Sequence, residues 1–310
     1  MNTKQRGFLS YPESNNLGDY IQSIAVRELI GKKAIGADRE KLNIYSGSSL
    51  NLIMNGWFME NSKNWPPSDK ITPLFISFHL NPIAEKHMLS LSGIEYFKKH
   101  EPIGCRDFYT QNILSKRGIK TYFSGCLTLT LNNKNKNHKR EGILVLSALD
   151  RMKPKFTINN FFIQLFKFPK KYWQYKNSKR RLEGFISKQR SSTVKYKSQI
   201  VDVKKYSEQQ RFVLAQEQLD IISKSELIIT SRIHSALPAV SLGTKVVFLT
   251  DGLDHINQKS RLEGLSDYFY CCKTTDLNKL NLNEIIPKQK SREISKNLIE
   301  KVNQFFSKEE

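Results

Sequence analysis

The stretch Leu227 to Leu249, LIITSRIHSALPAVSLGTKVVFL, constrains the fold more than any other part of the chain. It reads as an apolar strand, a polar turn carrying Ser231, Arg232 and His234, an amphipathic helix, a stop at Gly243 and a second apolar strand. Apolar strands on either side of a helix imply a parallel sheet covered on both faces. A strand that opens directly into a helix also gathers free backbone N–H groups and the positive helix end at one point. With Arg232 and His234 beside it, that point suits a phosphate or a carboxylate. Ligands of open α/β sheets usually sit just there, outside the carboxyl ends of the strands.

The same alternation runs through the rest of the chain. RGFLSYP reads as a first strand, and the loop ESNNLGD leads into a helix with Tyr20, Ile21, Ile24, Ala25, Leu29 and Ile30 on one face. Strand-like runs follow at KLNIYSG, NLIMNGWF and PLFISFHL, then a helix over Ile83–Leu91 and a strand ending near Gly104. The linker is placed at LNNKNKNHKR, Leu131 to Arg140, polar after its leucine. GILVLSAL opens the second half, with a further strand at QIVDV and a helix over Arg211–Ser223. At 310 residues the chain exceeds one ordinary core and suits two domains of roughly 130–150 residues. The expected architecture is α/β: two Rossmann-like domains facing a cleft, with mainly parallel sheets. The domains are placed at 1–135 and 136–262, with a helical tail over 263–310 that folds back on the first.

Net charge is +21, and much of the excess lies between Arg151 and Arg211, where Glu183, Asp202 and Glu208 are the only acids. There, FTINNFFIQLFKFPKKYWQYKNSKRR interleaves aromatic rings with Lys167, Lys170 and Lys171. Two readings follow. The segment 156–181 touches an anionic membrane surface, or it is a helix that buries Phe161, Leu165 and Phe168 and solvates its basic face. Nucleic acid is not expected, because no RNA-binding motif accompanies the charge. No window reaches the ~20 apolar residues of a membrane span, and MNTKQRGFLSYPES lacks the apolar core of a secretion signal. Cys105, Cys126, Cys271 and Cys272 lack metal or redox spacing. Reduced thiols in a cytoplasmic protein, peripheral at most to the inner membrane face, are the expectation.

Several other polar groups should lie at strand ends on the ligand edge. Gly18 in the loop Asn15 to Asp19 admits close backbone approach, and Asp19 is a base or a sugar-hydroxyl ligand, unless this loop only caps its helix. Arg106 and Asp107 set a cation beside an acid, for a ligand or for each other. Ser77 and His79 end one strand, and Asn55-Gly56-Trp57 another. Ser231 and Ser235 flank the Arg232 turn. Gly-x-Gly-x-x-Gly, a Walker loop and zinc spacings are all missing, so neither a bound cofactor nor a metal is expected.

Taken in order, NNLGDYIQ, IMNGWF, FISFHL, IGCRD, SGCLTLTL and TSRIHSALPAVSLGT resemble the polysaccharide pyruvyl transferase family. The resemblance implies a GT-B-like fold with the active site between its halves. It implies transfer of a pyruvyl group from phosphoenolpyruvate to a sugar of a bacterial surface glycan or its lipid-linked precursor. The product would be a pyruvate ketal, with release of phosphate. Arg232 would then neutralise the leaving phosphate, and His234, which resembles the family's motif histidine, would be acid or phosphate ligand. Asp19 or Asp107 would deprotonate the acceptor. Asn16, Gly18, Ser77, His79, Arg106, Asp107, Ser231 and Ser235 would line the substrates. A glycosyltransferase using a nucleotide sugar would share such a fold, and a binding protein for anionic glycan is the non-catalytic alternative.

Overall fold

The computed structural model describes residues 4–132, 139–154, 161–189, 193–282, 285 and 290–307, without the side chains of 161–166 and 290. Its first sheet contains β1 (Gln5–Ser10), β2 (Ile35–Asp38), β3 (Leu50–Phe58), β4 (Ile71–Leu80), β5 (Ile103–Cys105) and β6 (Thr121–Phe123). The order is β2-β1-β3-β4-β5-β6, with every pair parallel. The second sheet contains β7 (Ile143–Leu146), β8 (Val194–Lys197), β9 (Leu227–Thr230), β10 (Lys245–Leu249) and β11 (Tyr270–Cys272). Its order is β11-β10-β9-β7-β8, again all parallel. The helices are α1 (Leu17–Ile30), α2 (Glu85–Met88), α3 (Leu91–Lys99), α4 (Phe108–Ser115), α5 (Phe161–Ser187), α6 (Glu208–Lys224), α7 (Ile233–Leu242), α8 (Ile256–Lys259) and α9 (Lys290–Ser307). Two all-parallel sheets with α/β connections are therefore what this sequence builds.

Strand order reverses between β1 and β3 in the first sheet, and between β7 and β9 in the second. Such switch points open a crevice at the carboxyl ends of the strands, because the flanking connections leave to opposite faces. The segments after Ser10, Phe58, Leu146 and Thr230 line the two crevices, and the sheets turn them toward each other. The loop before α1 is tied directly to the second half. Val201 N–H donates to Asn15 O at 2.8 Å, Leu17 N–H to Gln199 O at 2.9 Å, and Gln199 Nε2 to Asn16 Oδ1 at 2.6 Å.

Several local expectations are corrected. KLNIYSG forms a 3₁₀ turn, Arg39–Ile44, because Asp38 Oδ1 caps it by accepting from Glu40 N–H. The single helix expected over Ile83–Leu91 is broken into a Pro82–Ala84 turn, α2 and α3; Ser90 caps α3 through Gly93 N–H. QIVDV is not a sheet strand. β8 lies earlier, and residues 199–201 bond across to Asn15–Leu17 instead.

Of the linker expected at LNNKNKNHKR, residues 133–138 lie outside the described residues, as does the boundary set at 135/136, whereas Arg140 at its end donates to Ser223 O and Leu242 O. The last helix, α9, buries Leu298, Val302 and Phe306 against Phe8, Val26, Ile30, Ile53, Ile76 and Leu127 of the first half. In α5, Leu182, Phe185 and Ile186 enter the second core. Phe168 is half-buried, whereas the side chains of Phe161 and Leu165 lie outside the described residues. Among the described residues, no helix is long and apolar enough to cross a membrane.

Candidate active site between the two sheets

β4 carries the first device of the site. Met54 pairs with Phe75 but Gly56 with Phe78, so β4 holds one residue more than β3 across this interval. Ser77 sits at that bulge with φ 57°. The extra residue resets the alternation: Phe75 and Phe78 share the core with ring centroids 5.2 Å apart, and His79 turns to the opposite face. Ser77 N–H is held by Ser124 Oγ at 2.9 Å, and Ser124 Oγ donates to Cys105 O at 3.0 Å.

His79 lands on Asp107. Its Nδ1 is 2.6 Å from Asp107 Oδ2, and both side chains are fully buried. Asp107 also caps α4, its Oδ1 accepting from Thr110 N–H at 3.0 Å and Thr110 Oγ1 at 2.8 Å. Burial works against the carboxylate charge, but His79, Arg106 and the Thr110 N–H together hold Asp107 below the usual carboxylate range. Burial lowers the His79 pKa to about 4, with only partial compensation from Asp107. The imidazole is thus neutral, with Nδ1–H donated to Asp107. Its Nε2 is buried without a hydrogen-bond partner among the described residues.

Among the described residues, Arg106 is the largest fully buried side chain, and none of its three guanidinium nitrogens makes a hydrogen bond. Its Nε is 3.4 Å from Asp107 Oδ2. A buried guanidinium with only one ion contact is costly in isolation. It is well suited to a ligand that brings its own negative charge.

The second half supplies matching groups. Arg232 is the N-cap residue of α7 and lies 3.7 Å from Asp150 Oδ2. Pro238 has no N–H for the His234 carbonyl and crowds it, so the first turn of α7 is distorted and His234 takes φ −81°, ψ 18°. Gly243, at φ 81°, closes this helix in the left-handed conformation. Burial, then the charges of Arg106 and Arg261 and finally His79, push the His234 pKa well below 6.5. His234 Nε2 is likewise buried without a partner among the described residues. Arg261 is pushed to about 9 by burial and then by Arg106, Arg151 and Arg232. Arg151 falls to about 10 through burial and Arg232. Four arginines and two neutral histidines therefore converge, drawn from the ends of β4, β5, β7 and β9 and the loop after β10.

Not every anticipated residue faces this centre. Asn16 Oδ1 caps α1 through Gly18 N–H and takes the Gln199 amide. Ser235 Oγ donates to Gln199 Oε1, and Ser231 Oγ donates to Ser147 O at 2.8 Å. Asn16 thus joins the halves through Gln199, which Ser235 holds in place, whereas Ser231 is engaged within the second half. Gly18 is packed so closely that a Cβ would lie 3.0 Å from His234 Cβ and 2.5 Å from Gln199 Nε2. Asp19 accepts from Ser14 Oγ at 2.6 Å and lines a cavity of about 460 Å³ with Tyr11, Arg39, Glu40, Trp57 and Arg261. Arg39 fixes one wall, its guanidinium 4.9 Å from the Tyr11 ring and 5.1 Å from that of Trp57.

The family model described as polysaccharide pyruvyl transferase matches residues 16–251. The chain belongs to that family. Membership makes it a pyruvyl transferase of polysaccharide biosynthesis. No curated protein matches it significantly. Three solved chains do. One is an uncharacterized protein of Klebsiella pneumoniae subsp. pneumoniae NTUH-K2044, 11% identical over 87% of this chain and 93% of that one, with a TM-score of 0.47. Another is UDP-GlcNAc 2-epimerase from Methanocaldococcus jannaschii in complex with UDP-GlcNAc and UDP, 11% identical over 97% and 99%, with a TM-score of 0.40.

In this pyruvyl transferase, sequence reasoning missed Arg151, Arg261, Tyr11 and Arg39. Arg151 follows β7 at the switch point and was open to the strand-end argument that found Arg232. Arg261 carried no such signal, since it lies in a 3₁₀ turn, Ser260–Leu262. Cys105 and Cys126 are buried, and burial pushes both thiols up, so neither is an activated thiolate. Among the described residues, no group of three or more His, Cys, Asp or Glu side chains is placed to hold a metal ion.

Proposed function

We propose that the site transfers the pyruvyl group of phosphoenolpyruvate to two hydroxyls of a glycan sugar, forming a ketal. The observation that carries this reading is the buried guanidinium of Arg106, without a hydrogen bond among the described residues, in one charge field with Arg151, Arg232 and Arg261. Phosphoenolpyruvate is small and carries two anionic groups, so it can match several arginines that a neutral sugar would leave uncompensated.

The chemistry balances as follows. A proton adds to the methylene carbon, and one acceptor hydroxyl attacks the adjacent carbon and loses its proton. The carbon–oxygen bond to phosphate then breaks, the second hydroxyl adds to the same carbon, and its proton leaves with phosphate. His79 takes the first hydroxyl proton at Nε2, since Nδ1 is committed to Asp107. Asp107 is thus a positioning residue rather than the base. His234 delivers the proton to the methylene carbon: burial and then the arginine field keep it neutral in the free protein, and the arriving polyanion raises its proton affinity. Arg232 and Arg106 neutralise the departing phosphate. The acceptor ring rests in the cavity beside Trp57 and Tyr11, where Asp19 and Glu40 accept hydroxyl hydrogen bonds.

Thermal shift with phosphoenolpyruvate against UDP- and GDP-sugars tests the donor, in wild type and Arg232→Ala. Stabilisation by phosphoenolpyruvate alone, lost in Arg232→Ala, is expected. Stabilisation by nucleotide sugars alone would refute pyruvyl transfer in favour of glycosyl transfer. Phosphate release with a new methyl singlet in the proton NMR spectrum of the acceptor identifies the ketal.

A further inference from the structure

From Lys167 to Arg181, helix α5 carries seven cations and no acid. Little of this stretch is packed. Only Ser178 is buried, Trp173 is 67% exposed and Tyr172 44% exposed. The helix is anchored by its far end, through Leu182, Phe185 and Ile186. Its cationic part flanks a groove of about 400 Å³ whose lining includes Arg151, Lys153, Lys171, Trp173, Arg181 and Lys273. Asp251 and Asp254 also line it, a minority against the five cations, and the Asp251 carboxylate is engaged by Thr274 N–H and Oγ1, both at 2.8 Å. Among the described residues, no carboxylate forms an ion pair with Lys153, Lys167, Lys170, Lys171, Arg181 or Lys273. Arg151 joins this groove to the arginine centre described above.

We propose that this face docks on an anionic lipid surface, with a headgroup phosphate seated in the groove and Trp173 and Tyr172 at headgroup depth. Charge complementarity selects the partner. A dense cation field needs an anion, and amphipathic rings on its border are stable where one side is apolar and the other wet. Single-stranded nucleic acid also satisfies cations and stacks on rings, but prefers a groove that tracks its backbone with aromatics in succession. Here the exposed tryptophan and tyrosine are consecutive on one exposed stretch of helix, the arrangement of an interfacial anchor. The inference does not depend on which reaction the arginine centre performs.

The test is co-sedimentation of the full chain with phosphatidylcholine vesicles, with and without phosphatidylglycerol. Binding only to the anionic vesicles, released by high salt, is expected. The triple variant Lys167→Glu, Lys170→Glu, Lys171→Glu should weaken it by more than about a hundredfold, the worth of three basic residues near such a surface before the added repulsion. Trp173→Ala should weaken it without altering its salt dependence. Because these positions are exposed, unchanged circular dichroism and thermal midpoint serve as the folding control. Equal binding to neutral vesicles, no binding to either, or undiminished binding by the triple variant would each overturn the proposal. So would displacement by inorganic phosphate at the lipid phosphate concentration, or tighter binding to a single-stranded oligonucleotide.

Discussion

Arg106 should hold its place at the expense of stability. Its guanidinium is fully buried, makes no hydrogen bond to the described protein and touches one carboxylate oxygen at 3.4 Å. At an effective dielectric of about 20, that contact is worth roughly 5 kcal/mol. Against it stand a desolvation cost of several kcal/mol for the ion and about 1–3 kcal/mol for each buried donor left unsatisfied. Repulsion from Arg261 adds to the cost. Replacing the side chain by methionine does not orphan Asp107, which keeps the Thr110 N–H, the Thr110 hydroxyl and His79 Nδ1. Arg106→Met should therefore be more stable than wild type by about 1–3 kcal/mol, a rise of about 2–4 °C in midpoint for a chain of this size. Phosphoenolpyruvate should reverse the order. At about a hundred times its Kd it stabilises a competent site by ~2.7 kcal/mol, and the variant should gain almost none of this. Thermal melts of both proteins, with and without the ligand, should cross. A variant that melts below wild type in plain buffer, yet is stabilised by the ligand as strongly as wild type, would refute the account of Arg106 as an anion ligand retained against stability.

The two buried histidines make stability depend on pH. Both have folded-state pKa values below the unfolded value near 6.5, His79 at about 4 and His234 well below 6.5, so below pH 6.5 the unfolded chain binds protons that the folded one refuses. Stability present above pH 6.5 should thus be lost as pH falls toward 4, by up to about 1.4 kcal/mol per pH unit for each histidine. Urea midpoints across this range should show a shallower slope in His79→Gln, and an unchanged slope would count against a neutral His79. Gly18→Ala should cost about 1–3 kcal/mol in urea unfolding, because its Cβ would strike Gln199 Nε2 and crowd His234. It should also weaken phosphoenolpyruvate binding, measured calorimetrically; an unperturbed variant would mean that the loop lies farther from His234 than described.

Much of this was legible in the sequence because it is local. The strand, turn, helix and Gly243 stop between Leu227 and Leu249 follow from apolar runs, a polar turn and one left-handed position, all specified within a few residues. The strand-end rule likewise picked out His79, Arg106, Asp107, Arg232 and His234. It failed where hydrogen bonding across the halves overrode a local pattern, as at residues 199–201. Alternation alone puts Phe75, Ser77 and His79 on one face. Only the register shift against β3 turns His79 away from the core, because an unequal residue count between two strands is a property of the pair.

The sequence by itself determined an α/β chain of parallel strands with Arg232 and His234 at the α7 turn, since periodicity and turn chemistry act over short separations. Tertiary structure decided which groups share a charge field. Asp107 meets His79 from 28 residues away, and Arg261 reaches Arg106 and Arg232 from a turn with no marking of its own. Tertiary structure also decided that Asn16 and Ser235 hold the two halves together through Gln199. Electrostatic and hydrogen-bonded neighbours depend on distance in space, and that is set only once both sheets have packed.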